Sequence, residues 1–247
     1  MYPSSLPLAL ESPVLVRVDG RDLAILLCTP LALDDLAVGH LVGRGLLPDR
    51  GSLRSIFVCD DRGRVDIERG AAPPLPSGSI PVLASGCGAG GLGGEIFGLE
   101  FPAEAPDRGR GLFSLDELAR RARDMFSAAA MHRSTGGMHC AALALPAPEL
   151  RLIVREDVGR HNAVDKVIGR AFLEGIDFGQ AAIITSGRIA ADMVAKAIHA
   201  GIPILASRSV PTTAAFELAS AFGIALVGRL GSKTALVYCG DRLFFTE

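Results

Sequence analysis

From residue 151 onward the chain repeats one unit, a short apolar run followed by an amphipathic stretch. RLIVRE, AAIIT, IPILA and IALVG have the length and composition of strands. NAVDKVIGRAFLEG, IAADMVAKAIHAG and TTAAFELASAFG separate them and carry apolar residues at helical spacing. A final run, TALVYC, closes the series. Gly175, Gly201 and Gly223 each fall where a helix needs a left-handed C-terminal residue. This alternation admits few folds. Strands joined by single amphipathic helices build a layered α/β domain around a largely parallel sheet.

Such sheets bind ligands beyond the carboxyl ends of their strands, where the connecting loops gather. The loops expected there are Glu156-Asp157-Val158-Gly159-Arg160-His161, Thr185-Ser186-Gly187-Arg188, Ser207-Arg208-Ser209 and Gly228-Arg229-Leu230-Gly231-Ser232-Lys233. Each joins arginine to glycine, serine or both. Small residues let a ligand reach the backbone, hydroxyls and N–H groups donate, and guanidinium neutralises charge. The set reads either as ordinary polar surface loops or as a site for a phosphorylated or nucleotide-like molecule. Four loops of one character at one edge favour the site, with Arg160, Ser186, Arg188 and Ser209 as candidate contacts. Asp165 and Lys166, in the helix that follows, are expected at solvated positions when each is taken alone.

The first half has another rhythm. VLVRV and LAILL are joined by DGRD, and SIFV and RVDIE by DDRG, which predicts two hairpins. Between them LALDDLAVGHLVGRGLL, entered through Thr29-Pro30, has helical spacing. GAAPPLPSGS at 70–79 and PAEAPDRGRG at 102–111 are turn-rich linkers. Ser114 stands three residues before Glu117, so Ser114 is expected to cap a helix that buries Leu118, Ala122, Met125 and Phe126. These breaks divide the chain into an α+β subdomain over residues 1–105 and an α/β core over 112–247.

Between the linkers lies ASGCGAGGLGG at 84–94, six glycines in eleven residues around one thiol, Cys87. A structural cysteine behaves as a small hydrophobe among apolar neighbours, and the residues beside Cys87 cannot wrap it. The stretch is either a flexible linker or a reactive loop whose backbone N–H groups converge on a thiolate. STGGMHCAAL at 134–143 is a second candidate. His139 and Cys140 would point to opposite faces of a strand, so they are not a catalytic pair, although His139 could face Cys87.

Composition removes several classes. The five cysteines, at 28, 59, 87, 140 and 239, are odd in number and include no C-x-x-C pair, against a disulfide framework or zinc finger. A net charge of -2 gives no reason to expect nucleic-acid affinity. Of 25 basic residues 22 are arginine, which suits bidentate phosphate binding. No apolar run reaches the length of a membrane span, and the first residues lack the basic-then-apolar pattern of a leader, so a soluble, non-secreted protein is expected. The H-x-E and P-C-x-x-C elements of zinc deaminases are absent, as are a Walker A motif and a G-x-S-x-G elbow. GCGAGG comes near G-x-G-x-x-G but meets another turn-rich segment within ten residues. No site for a metal ion is expected.

EDVGRHNAVDKVIG at 156–169 resembles the signature of the formate dehydrogenase accessory protein family, FdhD. TPLALDDLAVGHLVGRGLL, SGCG, TGGMHCAAL, TSGRIAADMVAKAIHAGIPILASRSVPTTAAFELA and ALVGRLGSKTALVYCG agree in the same order, from about residue 12 to the end. The resemblance implies a cytidine-deaminase-like three-layer α/β core and a cytoplasmic, homodimeric sulfurtransferase. Such a protein takes sulfur from a cysteine desulfurase as a persulfide. It passes the sulfur to a molybdenum bis-(molybdopterin guanine dinucleotide) cofactor, required for formate dehydrogenase or a related molybdoenzyme. Cys87 falls on the family's persulfide-bearing cysteine, and Leu230, Gly231, Ser232, Lys233, Thr234 and Ala235 on its cofactor-contacting segment. No membrane or nucleic-acid partner is implied. The chain departs from the family in three places: Cys87-Gly88-Ala89-Gly90 replaces C-x-x-C, Arg229 stands where phenylalanine is frequent, and His40 and Arg44 replace a frequent phenylalanine and glutamate.

Overall fold

The structure is a computed structural model that describes residues 8–59, 63–77, 81–83, 112–231 and 235–240. Two sheets organise it. The first is built from β1 (Ser12–Val18), β2 (Arg21–Cys28), β3 (Leu53–Cys59), β4 (Arg64–Arg69) and β5 (Val82–Leu83), in the order β3-β4-β1-β2-β5. Both expected hairpins are present: β1 pairs antiparallel with β2, and β3 with β4. The β1–β2 turn uses Asp19 and Gly20, both at positive φ, the backbone twist that a two-residue hairpin requires.

The second sheet holds β6 (His139–Ala144), β7 (Leu152–Asp157), β8 (Ala182–Thr185), β9 (Ile204–Ser207), β10 (Ala225–Gly228) and β11 (Leu236–Cys239). Its order is β11-β10-β9-β8-β6-β7. Among the described residues only β8–β9 and β9–β10 pair in parallel; β6–β7, β6–β8 and β10–β11 are antiparallel. The sheet is therefore mixed rather than largely parallel. The reason is β6, which enters from the preceding segment and lies between β7 and β8. The helix after β7 must then cross over β6 to reach β8, and four strands still run one way.

Side chains alternate strictly across this sheet, as a period of two demands. Ala142, Ile184, Ala206 and Val227 face α2 (Leu115–Ala128) with its Leu118, Ala122 and Met125. Ala141, Leu143, Ile183, Leu205 and Leu226 face the layer of α4 (Arg160–Glu174), α5 (Ala191–Ala200) and α6 (Thr213–Ala221). The result is three layers. Ser114 caps α2 as expected, accepting a bond of 3.1 Å from the Glu117 N–H. Leu118, Ala122 and Met125 are buried, while Phe126 stays partly exposed at the edge of the cluster.

The first sheet joins the far side of the helical layer through α1 (Leu33–Val42), whose main partner is α4. The two helices cross at glycines. A Cβ on Gly39 would lie 1.8 Å from the Asp165 carbonyl oxygen, and one on Gly169 1.8 Å from that of Asp35. Only glycine permits so close an approach. The pattern is reciprocal, Asp35 four residues before Gly39 and Asp165 four before Gly169, and the aspartates fasten the crossing with their side chains. Asp35 accepts from Arg155 Nε at 2.8 Å. Asp165 accepts from Lys196, and His40 Nδ1 lies 3.4 Å from its other oxygen.

Candidate functional site

The carboxyl ends of β8, β9 and β10 meet the first residue of β6 and the end of β7, and their loops are laced together by short bonds. Ser186 N donates to Cys140 O at 2.9 Å, and Arg208 N to Thr185 O at 3.3 Å. Ser207 Oγ donates to Gly187 O and accepts from Ser209 N. Arg229 N reaches Ser209 O at 2.8 Å, and Leu230 N reaches Ser207 O at 2.9 Å. Ser186, Arg188, Ser209 and the start of the 230–235 segment thus lie on one edge, and α4 brings Arg160 to it. A Cβ on Gly187 would meet the Arg160 side chain at 2.9 Å, so the small residue of that loop admits the guanidinium stem. Arg188 is exposed and Ser186 and Ser209 half-buried. Leu230 turns its side chain into the α2 cluster, which leaves its backbone and that of Gly231 to the loop. Ala235 is half-buried beside β11. Cys87, Ser232, Lys233 and Thr234 lie outside the described residues.

A group that the loop pattern did not assign joins this edge. His139 Nδ1 lies 3.2 Å from Ser186 Oγ, and the same hydroxyl accepts from Cys140 N at 3.1 Å. Burial lowers the proton affinity of His139, and Arg160, His132 and His161 lower it further. The lowered proton affinity favours the neutral imidazole, which offers one N–H and one lone pair for hydrogen bonding. Cys140, one residue on, points the other way, into the α2 cluster. Burial pushes its thiol up to about 11 against the opposing bond from Ser186, so it is no thiolate at neutral pH. The alternation expected from the sequence separates the two residues as anticipated.

The signature EDVGRHNAVDK is chiefly a strut. Glu156 accepts from Met131 N and His132 N and pins the start of α3 (Ala130–Thr135). Asp157, fully buried, accepts four bonds: from Lys166 Nζ at 2.6 Å, Thr29 N at 3.1 Å, Gly159 N at 2.8 Å and Asn162 Nδ2 at 3.0 Å. Asn162 also donates to Leu27 O, Lys166 to Thr29 O, and Val158 N to Thr29 Oγ1. These bonds clamp the end of β2 against the β7–α4 turn, and so fix where α4 begins. Asp165 and Lys166 are each 1% exposed, which corrects the expectation that both sit at solvated positions. A buried ion is retained only with a partner, and each has one. Burial pushes the Asp165 carboxyl up, but Lys196 and His40 outweigh it and hold the group below the usual carboxylate range. Arg160 and His161 are the members of the motif that reach the edge, His161 Nε2 lying 2.7 Å from Asp192 Oδ2 at the start of α5.

The other described cysteines are poor nucleophiles or lie elsewhere. Cys28 is buried, and its thiol is pushed up to about 12 by burial and by Asp157. Burial also raises the Cys239 thiol, and Cys59 belongs to β3 of the other sheet. Among the described residues no group of three or more His, Cys, Asp or Glu is placed to hold a metal ion. Among them, too, no helix is long and apolar enough to cross a membrane.

The fold and edge together define a mixed α/β protein with a hydroxyl- and guanidinium-lined strand-end site and no internal metal centre among the described residues. Comparison with known proteins gives this class its place. The profile of the FdhD/NarQ family matches residues 9–244, and the chain belongs to that family. It is 35% identical to the sulfur carrier protein FdhD of Nocardia farcinica, over 94% of this chain and 86% of the other. It is 30% identical to the protein of the same name from Geobacillus kaustophilus, over 94% and 87%. Among solved structures, a protein described as a formate dehydrogenase accessory protein from Desulfotalea psychrophila superposes with a TM-score of 0.76 at 26% identity. That match covers 96% of this chain and 90% of the other.

Proposed function

We propose that this chain carries sulfur, as a persulfide on Cys87, from a cysteine desulfurase to a molybdenum bis-(molybdopterin guanine dinucleotide) cofactor that formate dehydrogenase requires. The observation that carries this reading is the convergence of Arg160, Ser186, Arg188, Ser209 and the 230–231 backbone on one strand-end edge. Guanidinium, hydroxyl and backbone N–H groups are what the phosphates of a dinucleotide need. Relatives named as sulfur carriers supply the chemistry. Cys87 would take the sulfur as a thiolate attacking the outer sulfur of the donor's persulfide. One S–S bond forms and one breaks, the desulfurase cysteine leaves as thiolate, and Cys87 holds the added sulfur. A single thiol suffices, so Gly90 in place of a second loop cysteine removes a resolving disulfide and not the transfer. In this reading the protein works in the cytoplasm as a homodimer.

Complementation tests it. In a strain lacking its own FdhD-type protein, the wild-type gene is expected to restore formate dehydrogenase activity and Cys87→Ala to leave it at background. Full restoration by Cys87→Ala would show that binding of the cofactor, not sulfur on Cys87, is the function.

A further inference from the structure

Arg208 directly follows β9 at the strand-end edge and differs from several arginines of this chain. Arg17, Arg64, Arg69, Arg151, Arg155 and Arg170 each reach a carboxylate. Arg208 is exposed and, among the described residues, has neither an ion pair nor a side-chain hydrogen bond. Its guanidinium carbon instead stands over the Phe126 ring, 5.3 Å from the centroid. Phe126 is itself held. It packs on the α2 cluster, and its ring meets that of His132 at 5.5 Å with a tilt of 47°. His132 is fixed in turn by the Met138 carbonyl. An exposed guanidinium that stands over a fixed aromatic ring, with no ion-pair partner among the described residues, leaves its other side to solvent.

The position of this plane gives it a use. Arg229 N and Leu230 N bond the backbone of Ser209 and Ser207, the residues on either side of Arg208. The loop of the platform and the segment assigned to the dinucleotide are therefore one hydrogen-bonded unit. A phosphate needs guanidinium N–H edges, whereas a nucleobase stacks on the guanidinium face. Phe126 stands on one side of the Arg208 guanidinium, and the side away from the ring is the one a base can reach.

We propose that Arg208, backed by Phe126, is the stacking platform for the purine base of the bound nucleotide, and so determines specificity for a purine dinucleotide. This rests on the proposed cofactor-binding edge. A purine presents a larger π surface than a pyrimidine and gains more from the platform.

Calorimetric titration of the full chain with GDP, CDP and inorganic pyrophosphate at fixed salt tests it. The wild type is expected to bind GDP more tightly than CDP, and both more tightly than pyrophosphate. Arg208→Lys keeps the charge and removes the plane. It is expected to lose about 5-fold or more in GDP affinity, the lower end of what one stacked base contributes, with pyrophosphate binding unchanged. Phe126→Leu is expected to lose less, in the same direction. Undiminished GDP binding by Arg208→Lys, or a parallel fall for pyrophosphate, would overturn the platform while leaving the edge as a phosphate site. A wild type that binds none of the three would overturn both the platform and the cofactor-binding reading. Because Arg208 is exposed, unchanged urea midpoints are expected for its variants and separate lost stacking from lost fold.

Discussion

Replacing Lys166 with methionine should cost this protein a large part of its stability, and the structure says how much. Lys166 is 1% exposed and its ammonium sits 2.6 Å from Asp157, which is fully buried. Methionine fills a similar volume but removes the cation and strips a donor from the Thr29 carbonyl at 2.9 Å. Asp157 would keep three neutral donors, Thr29 N, Gly159 N and Asn162 Nδ2, and no counter-charge. A buried carboxylate left in that state costs about 3–5 kcal/mol, against a total of roughly 5–15 kcal/mol for a typical domain. Adding Asp157→Asn removes the orphaned charge, so the double variant should recover at least ~1 kcal/mol relative to Lys166→Met alone. Urea denaturation at pH 7 of the wild type, both singles and the double reads the four stabilities. A loss below ~1 kcal/mol for Lys166→Met, or a double variant as unstable as the sum of the singles, would refute the view that this pair clamps β2 to α4.

Three further outcomes follow from the same contacts. Gly39→Ala or Gly169→Ala would drive a methyl group to 1.8 Å from a backbone oxygen, so each should destabilise by at least the ~1–3 kcal/mol of core overpacking, read as a fall in melting temperature. Burial lowers the His40 imidazole to about 4, with Arg44 and Lys196 adding to the fall and Asp165 opposing it. The unfolded chain takes that proton near 6.5 and the folded chain only near 4, so stability is complete above 6.5 and is lost as pH falls through this window. The loss reaches about 3 kcal/mol at pH 4, and His40→Phe should flatten urea midpoints measured from pH 7 to 4. Finally, Cys28 and Cys140, held as thiols near 12 and 11, should resist iodoacetamide in the native protein at pH 8 and react after unfolding, as read by peptide mass.

The strand and helix alternation was legible because strands and helices have different periods, and because α4, α5 and α6 each run into a positive-φ glycine, Gly175, Gly201 and Gly223. The loops of the strand-end edge were legible for the same reason: once the strands are placed, their carboxyl ends are placed too. The place of β6 was not. Nothing local in HCAALA says that it enters the sheet between β7 and β8, since that choice belongs to packing across the whole sheet. Asp165 and Lys166 escaped because a charged residue on an amphipathic helix is normally solvated, and three of their partners, His40, Lys196 and Thr29, stand more than 30 residues away, while Asp157, nine residues before Lys166, meets it only once β7 and α4 are packed. A signal did exist in the composition. In a chain with 22 arginines among 25 basic residues, the three lysines are exceptions, and two of them, Lys166 and Lys196, are buried ion-pair partners. A compact ammonium fits where a planar guanidinium does not. The contact of Arg208 with Phe126 was equally hidden, because it joins a loop to a helix more than 80 residues earlier in the chain.

The central claim is that Cys87 carries sulfur, and intact mass spectrometry measures it directly. The protein is incubated with cysteine and a cysteine desulfurase, then weighed before and after cyanide treatment. The account predicts one added sulfur atom (~32 Da) on the wild type, removed by cyanide and absent from Cys87→Ala, as a single persulfide on one thiolate requires. A wild type that gains no sulfur beside a competent desulfurase, or a Cys87→Ala variant that gains it equally, would contradict the account.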